Sequence, residues 1–379
     1  MSQKSAFIYD ETLTSHVLSD SHPMKPVRIR YTHDLLASYA AFDAPNSLLE
    51  KPRIATKQEL LHFHTSEYLD AVREYGRGQI SVSPAIFNLG PGDNPVYEGM
   101  YEAAAMSTGA SLTAVDMLMS GEVDSAMSVS GGLHHAMPGY AYGFCVFNDP
   151  VIAIKALVSQ GMKVAYIDID CHHGDGVQHA FYDSDSVLTI SLHESGAFLF
   201  PGTGYSQEIG AGRGRGYSVN VPLYPYTTDD VYLWAFNEIV PPLLGAFNPD
   251  VLVTQLGIDS HFKDPITHLS LTVQGIEQIV REFTKPNLKY GKWLALGGGG
   301  YDIQAVARAW TLAYGVMTDQ IFLNEVPSEY NRIHKIDTLA DVEVPRLEDT
   351  LKKQTMDFAQ ASVKVIHNLV FPQFGLRLT

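Results

Sequence analysis

The 379-residue sequence contains only two cysteines, Cys145 and Cys171. Two cysteines cannot form a disulfide framework or a cysteine-rich zinc knuckle, which fits a reducing compartment. The sequence also has no uninterrupted apolar run long enough to span a bilayer, and its opening residues lack the basic and apolar parts of a signal peptide. These absences favour a soluble cytoplasmic protein.

Basic residues are also in short supply. The chain has 26 Lys and Arg against 42 Asp and Glu, which gives a formal net charge of −16. General binding to phosphate backbones or to anionic lipid needs a basic surface. We therefore expect no nucleic-acid or membrane partner, and the charge favours neutral or cationic substrates. The oligomeric state is left open.

Short apolar segments alternate with amphipathic segments along most of the chain. Strands are expected at 6–10, 125–130, 164–170, 187–193, 217–223, 251–259 and 293–300. Helices are expected at 29–39, 60–76, 98–119, 149–159, 229–244, 273–283, 303–317 and 346–369, with a short helix from Val177. This alternation predicts an α/β fold in which a mainly parallel, multi-stranded sheet has helices on both faces. We expect a single domain over residues 1–379, with a C-terminal helical extension at about 320–379.

Polar motifs follow five of the predicted strands. They read GGLHH, DIDCHHGD, SLH, GID and GGGGYD, and all lie within residues 131–302. Ligands bind at the carboxyl ends of the strands in open α/β sheets, so distant segments can form one pocket there. The catalytic motifs are therefore expected in this range.

The second of these motifs contains candidate metal ligands. If its strand stays extended, Asp168, Asp170 and His172 point to one face and Cys171 points to the other, where it would pack. Buried carboxylates need a counter-charge. Carboxylate and imidazole ligands suit a borderline divalent cation such as Zn²⁺, and they do not distinguish it from Fe²⁺. The plain structural alternative is that the aspartates cap the following turn.

Asp259 is the candidate third ligand because it ends another apolar strand at the same edge of the predicted sheet. A site formed by Asp170, His172 and Asp259 leaves room for water and substrate, as catalytic metal sites do. A metal ion in such a site polarises a carbonyl and lowers the pKa of bound water. The predicted chemistry is therefore hydrolysis.

Two further motifs suggest groups that act beside a metal. His134 and His135 suit proton transfer, with Asp168 and Asp175 available to orient their rings. Tyr301 follows four glycines, but no Lys-Ser/Thr comes after them, which argues against a phosphate-binding loop. A neutral phenol at this position suits hydrogen bonding to an oxyanion.

Several segments together resemble the zinc-dependent histone deacetylase superfamily, most closely its bacterial acetoin-utilisation branch. They are LHHAMPGYAYGFCVFND, YIDIDCHHGDGVQHAFY, SLH with FPGTG, QLGIDSH and LGGGGYD. The resemblance covers nearly the whole chain and implies the arginase/deacetylase fold. It also implies hydrolysis of N-acetyl-lysine in protein substrates, with release of acetate and a link to acetoin or acetate metabolism. Acetylated acetyl-CoA synthetase is a client that this link suggests.

The resemblance assigns roles to individual positions. The zinc ligands that it implies are Asp170, His172 and Asp259. The catalytic groups that it implies are His134, His135, Asp168, Asp175 and Tyr301, with the tyrosine holding the oxyanion. A structural potassium ion is implied at Asp168, Asp170, His172, Ser191 and the backbone of Leu192.

Substrate-binding positions follow from the same resemblance. Phe144 and Phe200 would wall a narrow tunnel, with Gly143 beside them and Ile266 near the rim. Two further positions complete the set: Asp93 at the rim, which would hold substrate backbone amides, and Arg28, which would line an internal route for acetate.

Three other functions remain open at this point. An acetylpolyamine amidohydrolase would share the chemistry, but the inserted loop that commonly narrows its entrance is not identifiable here. An arginase-like ureohydrolase would need extra bridging carboxylates for two manganese ions. A protein that binds acetyl-lysine or acetoin without turnover would not need His134, His135 and Tyr301, which are all present.

Overall fold

The computed structural model describes residues 4–15 and 17–376. Eight parallel strands form one sheet in the order β2-β1-β3-β8-β7-β4-β5-β6. The strands are β1 (Ser5–Ile8), β2 (Ser47–Glu50), β3 (Ser125–Ser128), β4 (Val164–Asp168), β5 (Val187–Glu194), β6 (Ser218–Leu223), β7 (Val251–Gln255) and β8 (Lys292–Leu296). All residues of β1, β3, β4, β5, β6 and β7 are buried, so both faces of the sheet are covered.

Eleven α-helices occur in the described residues and form this cover. They are α1 (Val27–Ser38), α2 (Lys57–Leu60), α3 (Ser66–Gly76), α4 (Met100–Ser120), α5 (Asp149–Ser159), α6 (Asp175–Phe181), α7 (Asp229–Phe247), α8 (Val273–Glu282), α9 (Ile303–Thr318), α10 (Ser328–His334) and α11 (Asp349–Leu369). The α/β prediction with a parallel sheet is confirmed. No helix in the described ranges combines the length and apolar character needed to cross a bilayer.

Three elements were not predicted, and several strands are shorter than predicted. The unpredicted elements are α2, α10 and β2, which is a four-residue edge strand with two exposed residues. The helix predicted over 60–76 begins at Ser66, where α3 starts. The extended segment predicted to run to Asp170 ends at Asp168, and β7 ends at Gln255 instead of Asp259. The expectation that Asp170 and His172 are strand residues is therefore wrong, because they lie in the turn that follows.

The C-terminal residues 320–376 include α10 and α11. Helix α11 packs against β6 and α7. Ser362 on this helix donates a hydrogen bond to the carbonyl of Pro222 in β6 (2.8 Å). Helices α10 and α11 thus both lie in the described part of this C-terminal region.

The sheet order explains how the polar motifs meet. Strands β3, β8, β7, β4 and β5 are consecutive neighbours in the middle of the sheet. Each of the five motifs lies at the carboxyl end of one of these strands or directly after it. Parallel pairing brings these ends to one edge of the sheet, where a pocket can form.

Candidate active site

In the turn after β4, aspartate side chains accept hydrogen bonds from backbone N–H groups two residues further along the chain. Asp168 Oδ1 accepts a hydrogen bond from the N–H of Asp170 (3.1 Å), and Asp170 Oδ1 accepts one from the N–H of His172 (3.0 Å). Such bonds two residues along the chain compete with strand pairing. They end β4 and turn the side chains of Asp170 and His172 toward the end of β7.

Asp170, His172 and Asp259 form a buried cluster whose ligand atoms all lie within 4.8 Å of one another. His172 Nδ1 lies 2.8 Å from Asp259 Oδ2 and 3.2 Å from Asp170 Oδ1. Among residues 4–15 and 17–376, this is the one group of three or more His, Cys, Asp or Glu side chains with such spacing.

The second oxygen of each carboxylate is held by neighbouring N–H groups. Asp170 Oδ2 accepts hydrogen bonds from Gln255 Nε2 (2.7 Å) and from the N–H of Gly299 (2.8 Å). Asp259 Oδ1 accepts one from the N–H of Cys171 (2.7 Å). These N–H groups therefore fix one oxygen of each aspartate, and the other oxygen faces His172.

The charges of this cluster fit a divalent cation. Burial raises the pKa of Asp259 to about 8, and the nearby charge of Asp170 adds to this. Burial acts to lower the pKa of His172, but its contacts with the two carboxylates outweigh this and raise it to about 10. Two buried carboxylates thus share a single imidazole, and a Zn²⁺ or Fe²⁺ ion would supply the charge that they lack.

His134 and His135 lie beside the cluster and contact each other. Their Nε2 atoms are 3.1 Å apart. His134 donates a hydrogen bond from Nδ1 to Asp168 Oδ2 (2.8 Å), and His135 donates one from Nδ1 to Asp175 Oδ1 (2.7 Å). Each ring therefore has its own orienting carboxylate, and the two remaining nitrogens face each other.

The two imidazoles have opposite protonation tendencies. Burial acts to lower the pKa of His134, but the carboxylates of Asp168 and Asp170 outweigh it and raise this pKa to about 9. Burial and the nearby His134 and His172 hold the pKa of His135 well below its usual value. His134 therefore favours the cation, and His135 favours the neutral base.

One pocket of about 190 Å³ reaches these groups. It is lined by Asp93, His135, Gly143, Phe144, His172, Leu199, Phe200, Ile266 and Tyr301. All the positions expected to bind substrate, apart from Arg28, are in this set. Asp93 is the exposed member of the predicted rim.

Aromatic rings form the walls of the pocket. The Phe200 ring lies edge-on to that of His135, with 5.1 Å between their centroids. The Phe144 ring lies edge-on to that of Tyr301 at 5.8 Å. Gly143 has φ +52°, and a Cβ built on it would overlap the His135 ring. The pocket can therefore have only a glycine at position 143 if the His135 ring keeps its place.

Arg28 lies behind Tyr301 and outside the pocket lining. Its Nη1 donates a hydrogen bond to the carbonyl of Gly300 (3.0 Å), and its guanidinium stands over the Trp310 ring, 5.2 Å from the centroid. Its Nε has no acceptor among the described residues. Burial raises the pKa of the Tyr301 phenol well above its usual value, so this group stays a hydrogen-bond donor.

Of the residues expected to hold potassium, Asp168, Ser191 and Leu192 lie on two neighbouring strands, whereas Asp170 and His172 lie in the turn after β4. Asp168 of β4 is the register partner of Ser191 of β5. Ser191 Oγ is hydrogen-bonded to His193 Nδ1 (2.8 Å), and the carbonyl of Leu192 accepts a hydrogen bond from the hydroxyl of Tyr232 (3.2 Å).

Sequence analysis did not identify several side chains that position the catalytic segments. Asp149 accepts hydrogen bonds from the N–H groups of Gly132 and Leu133 (3.0 and 2.9 Å), and so shapes the segment before the histidine pair. Others of this kind are Asn148, Tyr166, Gln255 and Asp264. The polar residues inside the motifs FND and QLGID were the available signal, because buried polar side chains need partners.

Comparisons with known proteins identify the family of this chain. Residues 22–317 match the model of the histone deacetylase domain family. The chain is 42% identical to the acetoin utilization protein AcuC of Bacillus subtilis (strain 168), over 86% of this chain and 85% of that protein. It is 38% identical to the AcuC protein of Staphylococcus aureus (strain MSSA476), over 84% of this chain and 83% of that one.

Solved structures give the same result. A crystal structure of a histone deacetylase homologue from Aquifex aeolicus superposes with a TM-score of 0.84 at 30% identity, over 94% of this chain and all (100%) of that chain. A histone deacetylase homologue complexed with SAHA superposes with a TM-score of 0.83 at 31% identity, over the same shares. The chain therefore belongs to the histone deacetylase superfamily, in its AcuC-like branch, and has the arginase/deacetylase fold.

Proposed function

We propose that the chain hydrolyses N-acetyl-lysine in protein substrates to lysine and acetate, with a divalent metal ion, Zn²⁺ or Fe²⁺, at Asp170, His172 and Asp259. One observation carries the proposal: a single aromatic-walled pocket ends at His172, His135 and Tyr301. Metal-assisted hydrolysis of an amide uses an activated water, a base and an oxyanion donor within reach of one carbonyl.

The walls of the pocket suit the substrate that we propose. Acetyl-lysine has a neutral amide on an apolar four-carbon chain, and Phe144 and Phe200 offer it apolar surface. Exposed Asp93 at the rim can accept hydrogen bonds from backbone amides of a substrate protein. A free polyamine has no such backbone amides, and its contact with Asp93 would instead be an ion pair with its ammonium group.

A metal ion held by Asp170, His172 and Asp259 would supply Lewis-acid polarisation and would lower the pKa of water. His135 takes the proton from the attacking water, because its ring lines the pocket while Asp175 holds its far nitrogen. His134, kept cationic by Asp168, stabilises the negative charge that develops. The Tyr301 hydroxyl donates a hydrogen bond to the tetrahedral oxyanion, and His135 then passes its proton to the leaving amine.

We also propose a domain organisation, a second ion site and a cellular role. We propose a single deacetylase domain over residues 1–379, a structural K⁺ near Asp168 and Ser191, and an acetate route past Arg28. The cellular role proposed is in acetoin or acetate metabolism in the cytoplasm, with acetylated acetyl-CoA synthetase as a client.

The test measures substrate turnover by purified protein whose metal content is known. The wild-type chain and Tyr301→Phe should be compared on an acetyl-lysine peptide, N-acetylputrescine and arginine, with acetate and urea as the measured products. We expect acetate from the peptide at a higher kcat/KM than from N-acetylputrescine, and no urea. Higher kcat/KM on the polyamine would replace the protein substrate, urea release would indicate a ureohydrolase, and binding without release of product would indicate a recognition protein.

A further inference from the structure

Asp341, in the segment between α10 and α11, joins three separate parts of the fold. Its Oδ2 accepts hydrogen bonds from His261 Nε2 (2.9 Å) and from the N–H of Val273 at the start of α8 (2.8 Å). Its Oδ1 lies 2.8 Å from Arg308 Nη2 on α9. The Asp341 side chain is only 3% exposed. Both oxygens are therefore in use, and the carboxylate has a cation, an imidazole and a helix N-terminus as partners.

His261 connects Asp341 to the loop of residues 259–267. Its Nδ1 accepts a hydrogen bond from the N–H of Lys263 (3.2 Å), so the proton of the ring is on Nε2 and points at Asp341. The carbonyl of His261 accepts a hydrogen bond from the N–H of Asp264 (2.9 Å). The shape of this loop is thus tied to Asp341 through the ring of His261.

The same loop holds Tyr301. Asp264 Oδ2 accepts a hydrogen bond from the N–H of Tyr301 (2.8 Å), and Asp264 Oδ1 accepts one from the N–H of Ile266 (3.1 Å). Tyr301 follows four glycines, of which Gly298 and Gly300 have φ +149° and +123°. Glycines leave the backbone before Tyr301 conformationally free. The position of the Tyr301 phenol therefore depends on the hydrogen bonds that hold the Tyr301 backbone.

Arg308 joins Asp341 to the other side of Tyr301. It lies on α9, which begins at Ile303, and its Nη1 also donates a hydrogen bond to the carbonyl of Leu339 (3.0 Å). Two residues of the C-terminal segment, Leu339 and Asp341, therefore bind α9 through Arg308. The elements on both sides of the bond between Asp264 and Tyr301 meet at one buried carboxylate.

We propose that Asp341 is a positioning residue for catalysis, which holds loop 259–267 against α9 so that Asp264 fixes the backbone of Tyr301. Asp341 acts through His261 and Asp264 and does not touch the reacting atoms. The inference rests on the proposed deacetylase function and adds a part of the chain beyond the catalytic motifs to its machinery.

The test uses Asp341→Asn, which keeps the shape of the side chain and removes its charge and one acceptor oxygen. We expect kcat on an acetyl-lysine peptide to fall roughly tenfold, since small misplacements of catalytic groups have large effects on rate. KM and metal content should stay unchanged. Hydrogen exchange followed by mass spectrometry should show faster exchange of the Tyr301 amide.

Glu59→Gln is the matched control. Glu59 also accepts hydrogen bonds from an arginine and a backbone N–H, those of Arg53 (2.7 Å) and Thr56 (2.7 Å), but it lies outside the pocket and the loop. This variant should lower Tm and leave both kcat and the exchange of the Tyr301 amide unchanged. Comparison of Glu59→Gln with Asp341→Asn therefore distinguishes a general loss of stability from a displacement of Tyr301.

A double-mutant cycle identifies the residue through which Asp341 acts. In a Tyr301→Phe background, Asp341→Asn should cause no further loss of kcat, because the phenol that it positions is already absent. A lower Tm with unchanged kcat, additive losses in the two backgrounds, or loss of metal from Asp341→Asn would each overturn the inference. If Asp341→Asn does not fold, Arg308→Lys replaces it, with the same expected changes in kcat and exchange. Amide exchange needs no turnover, so a wild-type chain without deacetylase activity would refute the proposed function separately.

Discussion

The Nε2 atoms of His134 and His135 are 3.1 Å apart, although the rings are bonded to two different carboxylates. A hydrogen bond between these nitrogens carries one proton, and the raised pKa of His134 places this proton on its ring. Only one ring can therefore act as a neutral base at a time, and His135 is the ring that lines the pocket.

The histidine pair gives the first prediction. His135→Ala should lower kcat by about 10²–10⁴-fold, the usual contribution of a general acid–base group. His134→Ala should lower kcat less, because this ring contributes charge and does not line the pocket. Steady-state kinetics on an acetyl-lysine peptide measures both. A larger loss from His134→Ala would reverse the two assignments.

The oxyanion donor gives the second prediction. Tyr301→Phe should lower kcat by about 10²-fold or more, because it removes one hydrogen bond made to the developing negative charge. KM should change little, and metal content should not change, since Tyr301 is not one of the clustered ligands. Undiminished kcat would remove Tyr301 from the chemistry.

The metal ligands give the third prediction. Asp259→Ala should abolish stoichiometric metal binding, measured by elemental analysis of purified protein, because it removes one of three clustered ligands. The control is Asp230→Ala, which removes an exposed carboxylate at the start of α7. Chelation should inactivate the wild type, and added Zn²⁺ should restore it. A full complement of metal in Asp259→Ala would refute the ligand assignment.

The glycine beside His135 gives the fourth prediction. Gly143→Ala should lower kcat at least about tenfold, because the added methyl displaces the His135 ring from its position near the substrate. Gly139→Ala is the control, since a Cβ there meets nothing within 4 Å and its φ is not positive. Equal activity of the two variants would show that the ring tolerates displacement.

The fifth prediction concerns pH and stability. Burial acts to raise the pKa of Asp341, but hydrogen bonds from His261 and Val273 and the charge of Arg308 lower it to about 2. A carboxyl whose folded-state pKa is lowered stabilises the fold above its unfolded pKa of about 4 and loses this effect as the pH falls toward 2. Wild type should exceed Asp341→Asn by about 2 kcal/mol in unfolding free energy above pH 5. Chemical denaturation should show this difference shrinking between pH 4 and 2, and a pH-independent difference would contradict it.

The sequence predicts the strands and their polar ends well, because the central strands are continuous apolar segments and their ligands follow at once. It does not predict where each strand ends. The side chains of Asp168 and Asp170 end β4 because they accept hydrogen bonds from backbone N–H groups two residues further on. These bonds replace the pairing between strands, and no pattern of apolar residues in the sequence marks them.

Partners across the sheet are harder to predict than the ligands. Gln255 looks like an ordinary polar residue at a strand end, but pairing makes it the neighbour of Asp168 and places its amide on Asp170. Asp341 stands in an irregular segment 82 residues after Asp259 in the sequence, and only the folded chain brings it to His261. Such contacts depend on register and packing, which single-sequence patterns do not contain.

The active-site loops extend from five interior strands of the sheet, each of which has a hydrogen-bonded neighbour on both sides. Interior strands open by local fluctuation after the edges and termini, which fray first. Thermal inactivation of this protein should therefore coincide with its calorimetric melting transition instead of preceding it, and partial fraying at β2 or β6 should leave turnover intact.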